Sequence, residues 1–217
     1  MLTGSATQNV FDGDKDLCGL QLRGISRQSS VGFLSYLECL RYLEVGKNLK
    51  SPECPVWVLG SETHLTVLFS RNMDLVRAPS QRDLARDTFN TLDKDSAGFI
   101  SGDKLQELMQ SLELFADTEY VELMRTRLDP DGLGIILLPQ FLDEFYPEDK
   151  PGPDTFTVFH YNGLVRHESS VVFKRGEAVI LEGVSGSSDN NAIIETLQTK
   201  WRNISVDWSD GVKPSIN

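Results

Sequence analysis

His64 is the residue of this chain best placed to move a proton. It follows a polar run, Gly60-Ser61-Glu62-Thr63, and heads a β-forming one, Leu65-Thr66-Val67-Leu68-Phe69. An imidazole titrates near neutrality, so a positioned histidine can take a proton from a thiol and later return it to a leaving amine. If Thr63 to Phe69 is a strand, Glu62, His64, Thr66 and Leu68 share one face, and Thr63, Leu65, Val67 and Phe69 the other. A carboxylate then lies two residues from the ring; Glu62 either orients the imidazole or is a solvated turn residue. Type and spacing alone leave a structural reading of His64 open as well, because a histidine beside a strand is often simply hydrogen-bonded in place.

A base of this kind needs a nucleophile, and the three cysteines are poorly set for that work. Cys39 falls in a Leu/Tyr-rich segment read as helical, where desolvation raises a thiol pKa. Cys54 lies between Glu53 and Pro55, and Cys18 follows an acidic run; nearby carboxylates oppose a thiolate. None opens a helix after a glycine-rich turn, where amides and the helix dipole favour the anion. His160, in an apolar strand, and His167, in a charged turn, read as structural or exposed. No histidine has ligand spacing with a cysteine, so neither a zinc site nor any other cofactor is expected.

The elements that must position His64 can be read from periodicity. Residues 1–24 are polar and loop-like. Ser30 is the expected N-cap of a half-buried helix from Val31 to Val45, with Phe33, Leu34, Leu37, Leu40 and Leu43 at helical spacing and Gly46 as its stop. Val56-Trp57-Val58-Leu59 predicts a strand buried on both faces, forming a hairpin with Thr63–Phe69. Strands are also expected at Thr155–Tyr161, Val171–Leu181 and Ile204–Trp208, with a Gly/Ser/Asp loop over Gly183–Asn191 and a helix over Ala192–Thr199. Between Ala78-Pro79-Ser80 and Pro147 the pattern is helical.

Within that stretch two segments share a skeleton. Asp93-Lys94-Asp95-Ser96-Ala97-Gly98-Phe99-Ile100 and Asp129-Pro130-Asp131-Gly132-Leu133-Gly134-Ile135-Ile136 each put acids at positions one and three, glycine at six and an apolar residue at eight of a calcium-type loop. Ile100 and Ile136 are the residues expected to pair. Leu105, Leu108, Met109 and Leu112, and then Leu138, Phe141, Leu142 and Phe145, line two exiting helices. The ligand set is degenerate. Position five is Ala97 or Leu133, and position twelve is Lys104 or Gln140, so the reading is an EF-hand-like pair without a metal, with a millimolar calcium site in the first loop as the alternative.

Composition narrows the partners. The 217 residues carry a formal charge of -11, with a sequence pI near 4.7. Such a surface repels polyphosphate and anionic lipid, so neither nucleic acid nor a membrane is an expected partner. The N-terminus shows no secretory pattern, and an odd number of cysteines without framework spacing suits a reducing cytosolic or nuclear setting.

Several stretches together resemble a known family: Leu2-Thr3-Gly4, Asn9-Val10-Phe11-Asp12-Gly13, Val31-Gly32-Phe33-Leu34, Leu49-Lys50-Ser51-Pro52, Pro55-Val56-Trp57-Val58, Gly60-Ser61-Glu62-Thr63-His64, Tyr161-Asn162-Gly163-Leu164 and Leu197-Gln198-Thr199-Lys200-Trp201. They look like the C-terminal half of the MINDY family of deubiquitinases, which are papain-like cysteine isopeptidases, and the likeness runs from Leu2 to Trp208. The insertion is similar to that of the EF-hand-bearing member. The resemblance implies an α/β fold, the C-terminal portion of a papain-like cysteine protease, with an all-α EF-hand-like insertion. Residues 1–77 would carry the histidine, 78–150 the degenerate EF-hand pair and 151–217 the closing strands. It implies that His64 is the catalytic proton acceptor. It implies ubiquitin or polyubiquitin as partner, with lysine-48-linked chains cut, and a nuclear location with the cytoplasm as the second site. The family's nucleophile sits in a Gly-Gly-Pro-Cys turn of the N-terminal half; this sequence has none, so the expectation is a fragment or short isoform lacking its nucleophile. Deprived of that half, the apolar face of Val56 to Leu59 is expected to want a cover. The alternative reading is a non-catalytic EF-hand-like protein-interaction module.

Overall fold

The sheet that carries His64 draws its strands from both ends of the chain. The computed structural model describes residues 7–95, 97–149, 153–163, 173–180 and 191–216. The chain divides into two compact units, one of Met1–Arg77 with Pro153–Ile180 and Ser188–Asn217, the other of Ala78–Gly152 with Leu181–Ser187. His167, the start of the expected Val171–Leu181 strand and nearly all of the Gly183–Asn191 loop lie outside the described residues.

The first unit begins with a hairpin where loop was expected. Strands β1 (Asp14–Leu17) and β2 (Leu20–Arg23) pair antiparallel around Cys18 and Gly19, which sit at φ 53° and 90°. Two successive left-handed residues suit a two-residue hairpin turn. The strands escape pattern reading because almost every residue in them is exposed, so no buried face imposes an apolar alternation.

The helix expected from Val31 to Val45 is replaced by two short elements, β3 (Gly32–Ser35) and α1 (Tyr36–Cys39), and a one-turn helix α2 (Lys47–Lys50) follows. Gly32 to Ser35 pairs in parallel with β4 (Val56–Gly60), from Gly32 opposite Trp57 to Ser35 opposite Gly60. A Cβ at Gly32 would stand 2.3 Å from Trp57 Cδ1 and 2.6 Å from the Leu49 carbonyl oxygen, so only glycine allows that approach. The cap is Ser35, whose Oγ accepts from the Leu37 N–H; Ser30 instead donates to Glu53. Gly46 opens α2 rather than closing a helix.

Strand β5 (Leu65–Phe69) completes the expected hairpin with β4, from Val56 opposite Phe69 to Gly60 opposite Leu65. The second unit follows, with α3 (Gln81–Leu92), β6 (Phe99–Ser101), α4 (Leu105–Ser111), α5 (Thr118–Leu128), β7 (Ile135–Leu137) and α6 (Leu138–Phe145). The first unit then resumes with β8 (Thr155–Tyr161), β9 (Lys174–Ile180), α7 (Ala192–Gln198) and β10 (Ile204–Trp208).

The mixed six-stranded sheet has the order β10-β9-β8-β5-β4-β3. Its covered face buries Leu34, Trp57, Leu59, Leu68, Val158 and Ala178 against Ile193, Ile194 and Leu197 of α7. β4 alternates instead of being buried on both faces: Trp57 and Leu59 are fully buried, while Val56 and Val58 are half-buried. The expected want of a cover therefore does not hold for Trp57 and Leu59. In the helical unit, Ile100 pairs opposite Ile136 as the loop skeletons predict, and Phe89, Leu105, Leu108, Met109, Phe141 and Leu142 fill the core. No described helix is long and apolar enough to cross a membrane.

Candidate functional site

His64 lies at the mouth of β5, one residue before the strand begins. The Ser61–His64 turn is closed from both sides. The Ser61 N–H donates to the His64 carbonyl at 3.0 Å, and the His64 N–H donates to Ser61 Oγ at 3.1 Å. This fixes the backbone at the point where polar turn becomes strand. Thr66 and Leu68, two and four residues on, are both buried, so the row that starts at His64 belongs to the covered face of the sheet.

The ring is held by a partner 98 residues away. His64 Nε2 lies 2.7 Å from the backbone carbonyl oxygen of Asn162, just after β8. A carbonyl can only accept, so Nε2 carries the proton and donates it. The neutral ring then keeps its lone pair on Nδ1, the nitrogen able to receive a proton from a nucleophile. Gly163 stands next in the chain at φ 72°, the left-handed conformation that turns the chain away after the Asn162 carbonyl. Glu62 is exposed, and the bond recorded for the ring goes to Asn162, not to Glu62.

A second histidine sits on the same side. The register that puts Leu68 opposite His160 places His160 on the covered face, where it is 1% exposed. Burial pushes its pKa down to about 4, and the neighbouring Lys174 and His64 push the same way. His160 is therefore neutral at physiological pH. Its Nε2, Thr66 Oγ1 and Trp208 Nε1 are buried without a hydrogen-bond partner among the described residues, and the Trp208 ring meets it edge-on with centroids 6.2 Å apart.

The cysteines stay apart from this arrangement. Cys18, Cys39 and Cys54 are free and exposed, and no hydrogen bond joins any of their thiols to His64. The Cys39 thiol is pushed up by partial burial, then by the carboxylates of Glu195 and Glu38, which makes a thiolate harder to form. Cys39 ends a one-turn helix rather than lying inside a long one.

The loops of the helical unit are built alike. Asp93 accepts from the Ala97 and Gly98 N–H groups at 3.0 and 2.8 Å, and Asp129 from the Leu133 and Gly134 N–H groups at 2.9 and 2.6 Å. Gly98 and Gly134, at equivalent positions, have φ of 80° and 78°. The position-twelve residue of the first loop, Lys104, turns to Glu107 at 2.7 Å. Among the described residues there is no group of three or more His, Cys, Asp or Glu side chains that could hold a metal ion.

Stretches far apart in sequence meet beside β4. The Trp57 indole donates to the Lys50 carbonyl at 2.9 Å, and Lys50 Nζ donates to the Thr199 carbonyl at 2.9 Å. Lys200 donates to Ser51, and Trp57 and Trp201 meet edge-to-face with centroids 5.1 Å apart. The Lys-Ser, Trp and Thr-Lys-Trp runs thus lock the end of α7 onto the sheet.

Residues 1–89, which include His64 and its turn, match the conserved domain of the MINDY-3/4 deubiquitinating enzymes. Along its full length the chain is 46% identical over 222 residues to the ubiquitin carboxyl-terminal hydrolase MINDY-3 of Homo sapiens, covering 50% of that protein. The MINDY-3 homolog of Drosophila melanogaster is 45% identical over 221 residues, again with 100% of this chain but 40% of the relative. A probable MINDY-4 of Bos taurus is 43% identical over 86 residues, 36% of this chain. The chain spans about half the length of the vertebrate MINDY-3 proteins it matches. The chain is thus similar to the MINDY-3 proteins along its whole length, and its residues 1–89 to the MINDY-3/4 conserved domain.

Proposed function

We propose that this chain is the histidine-bearing part of a cysteine-type ubiquitin isopeptidase that removes lysine-48-linked ubiquitin from conjugates. The observation that carries the reading is the His64–Asn162 contact. It holds the imidazole in the tautomer that leaves Nδ1 free to accept a thiol proton, inside the segment similar to the MINDY-3/4 domain. His64 draws the proton from a cysteine supplied from outside this chain, giving a thiolate–imidazolium pair. The thiolate attacks the isopeptide carbonyl, and the imidazolium protonates the departing lysine amine. Cys18, Cys39 and Cys54 take no part. A ubiquitin probe with a C-terminal electrophile tests this: the isolated chain is expected to form no adduct, and a covalent adduct on any of its three thiols would overturn the division of labour.

The helical unit is, in this reading, a degenerate EF-hand pair. The equivalent glycines, the Ile100–Ile136 pairing and the carboxylate-to-amide bonds support that ancestry, while Lys104 and Gln140 at position twelve oppose calcium. Calorimetric titration with calcium is expected to give no saturable heat below the millimolar range; micromolar binding would reverse the assignment. A nuclear location for the whole protein, with the cytoplasm second, is part of the same proposal, and imaging of the tagged protein checks it.

A further inference from the structure

The chain's charge is concentrated in one unit. Residues 78–152 hold 16 Asp and Glu against 7 Lys and Arg, a formal -9 of the whole chain's -11. The same unit leaves large apolar side chains in solvent on the approach to α5 and along it. Phe115 is 69% exposed and Leu123 60%. Phe115 meets Tyr120 edge-to-face with centroids 5.3 Å apart, and Leu123 stands one helical turn beyond Tyr120. Val121, Met124 and Leu128 are the residues of α5 that enter the core, so Leu123 is not needed there. Exposed carboxylates flank the row in the chain: Glu113, Asp117 and Glu119, with Glu122 already paired to Arg125. The nearby cations are engaged, Arg125 with Glu122 and Asp103, and Arg127 with Glu144.

We propose that the Phe115–Tyr120–Leu123 row is a docking surface for a basic amphipathic helix of a partner protein, its apolar face on the row and its lysines or arginines against the flanking carboxylates. Electrostatics selects the occupant. A second copy of this chain would bring another unit of charge -9 against the first, and an anionic lipid surface would be repelled. A cationic partner is attracted, and an apolar stripe at helical spacing meets this row as a ridge. The row belongs to the helical unit and His64 to the sheet unit, and the proposal stands whether or not the chain serves a protease.

Fluorescence anisotropy with a labelled amphipathic helix of leucine and lysine, added to the full chain, tests the proposal. Binding is expected in the micromolar range at low salt, weakening as salt rises. Phe115→Ser with Leu123→Ser is expected to weaken it about tenfold or more, since two exposed apolar side chains leave the contact. Glu113→Gln with Glu119→Gln should weaken it severalfold, and Leu133→Ser, at an exposed leucine elsewhere in the unit, should leave it unchanged. A leucine–glutamate helix of the same length should not bind. Equal binding of a lysine-only peptide, indifference to the Phe115 and Leu123 changes, or an equal loss in Leu133→Ser would overturn the assignment. So would a concentration-dependent dimer of the chain broken by Leu123→Ser, which would give the row to a second copy.

Discussion

The loops of the helical unit and the His64 site of the sheet unit satisfy their polar groups over very different distances. In the helical unit, Asp93 and Asp129 each find their amides within five residues, and Lys104 its carboxylate within three. In the sheet unit the ring of His64 bonds 98 residues away, and Lys50 and Lys200 each reach 149. Loops whose contacts are local are specified locally, although the helical unit also closes over a distance, where Arg82 reaches 60 and 64 residues to α6 and Tyr146. A site whose contacts are distant exists only once the whole sheet has closed.

The largest effect expected from this contrast is chemical. Replacing His64 by alanine in a complete enzyme carrying this sequence should cost about three orders of magnitude or more in kcat/KM, because the thiol loses its base. Near-normal cleavage of lysine-48-linked diubiquitin would show the ring to be structural. Next comes Arg82, a buried guanidinium that donates to the Leu142 and Tyr146 carbonyls and to Asp143 at the end of α6. Arg82→Met should destabilise the helical unit by about 3 kcal/mol, since buried partners of a charged group go unpaired. If the comparison is right, the imidazole NMR signals of His64 will not move; if they do, the units are not independent.

The smallest effect is a pH dependence confined to the sheet unit. Folded His160 has its pKa lowered to about 4 from an ordinary 6.5, and residues 78–152 contain no histidine. The unfolded ring binds a proton more readily than the folded one. The stability owed to this group is therefore full above about pH 6.5 and declines as pH falls toward the folded value. Between pH 7 and pH 5 the loss should be about 2 kcal/mol relative to a His160→Phe variant, read from urea unfolding. Parallel curves for the two proteins would contradict a buried neutral imidazole.

The same contrast explains which features could be read from residues alone. The Ile100–Ile136 pairing and the exiting helices follow from spacings a few residues long. The last strand, Ile204–Trp208, is legible because its buried face alternates. Phe33, Leu34 and Leu37 misled because their spacing fits a helix, while the decisive interaction, parallel pairing of Gly32–Ser35 with Val56–Gly60, is not local. The exposed β1–β2 hairpin has no buried face to betray it. At the site, the type and position of His64 were visible. Its bond to Asn162 was not, because the Asn162-Gly163 turn looks the same whether or not a ring leans on its carbonyl, and the buried neutral state of His160 needs the fold before it has a cause.

Strands β5 and β8 are hydrogen-bonded neighbours, and Ser70 donates to the Thr157 carbonyl at 2.7 Å, yet the whole helical segment lies between them. During synthesis, then, the strand beginning at Leu65 leaves the ribosome long before the one that completes its ladder. The entropy of closing so long a connection grows only with the logarithm of its length. The ladder between β5 and β8 therefore cannot form until the intervening segment has been made, and its lateness is a matter of synthesis more than of closure entropy.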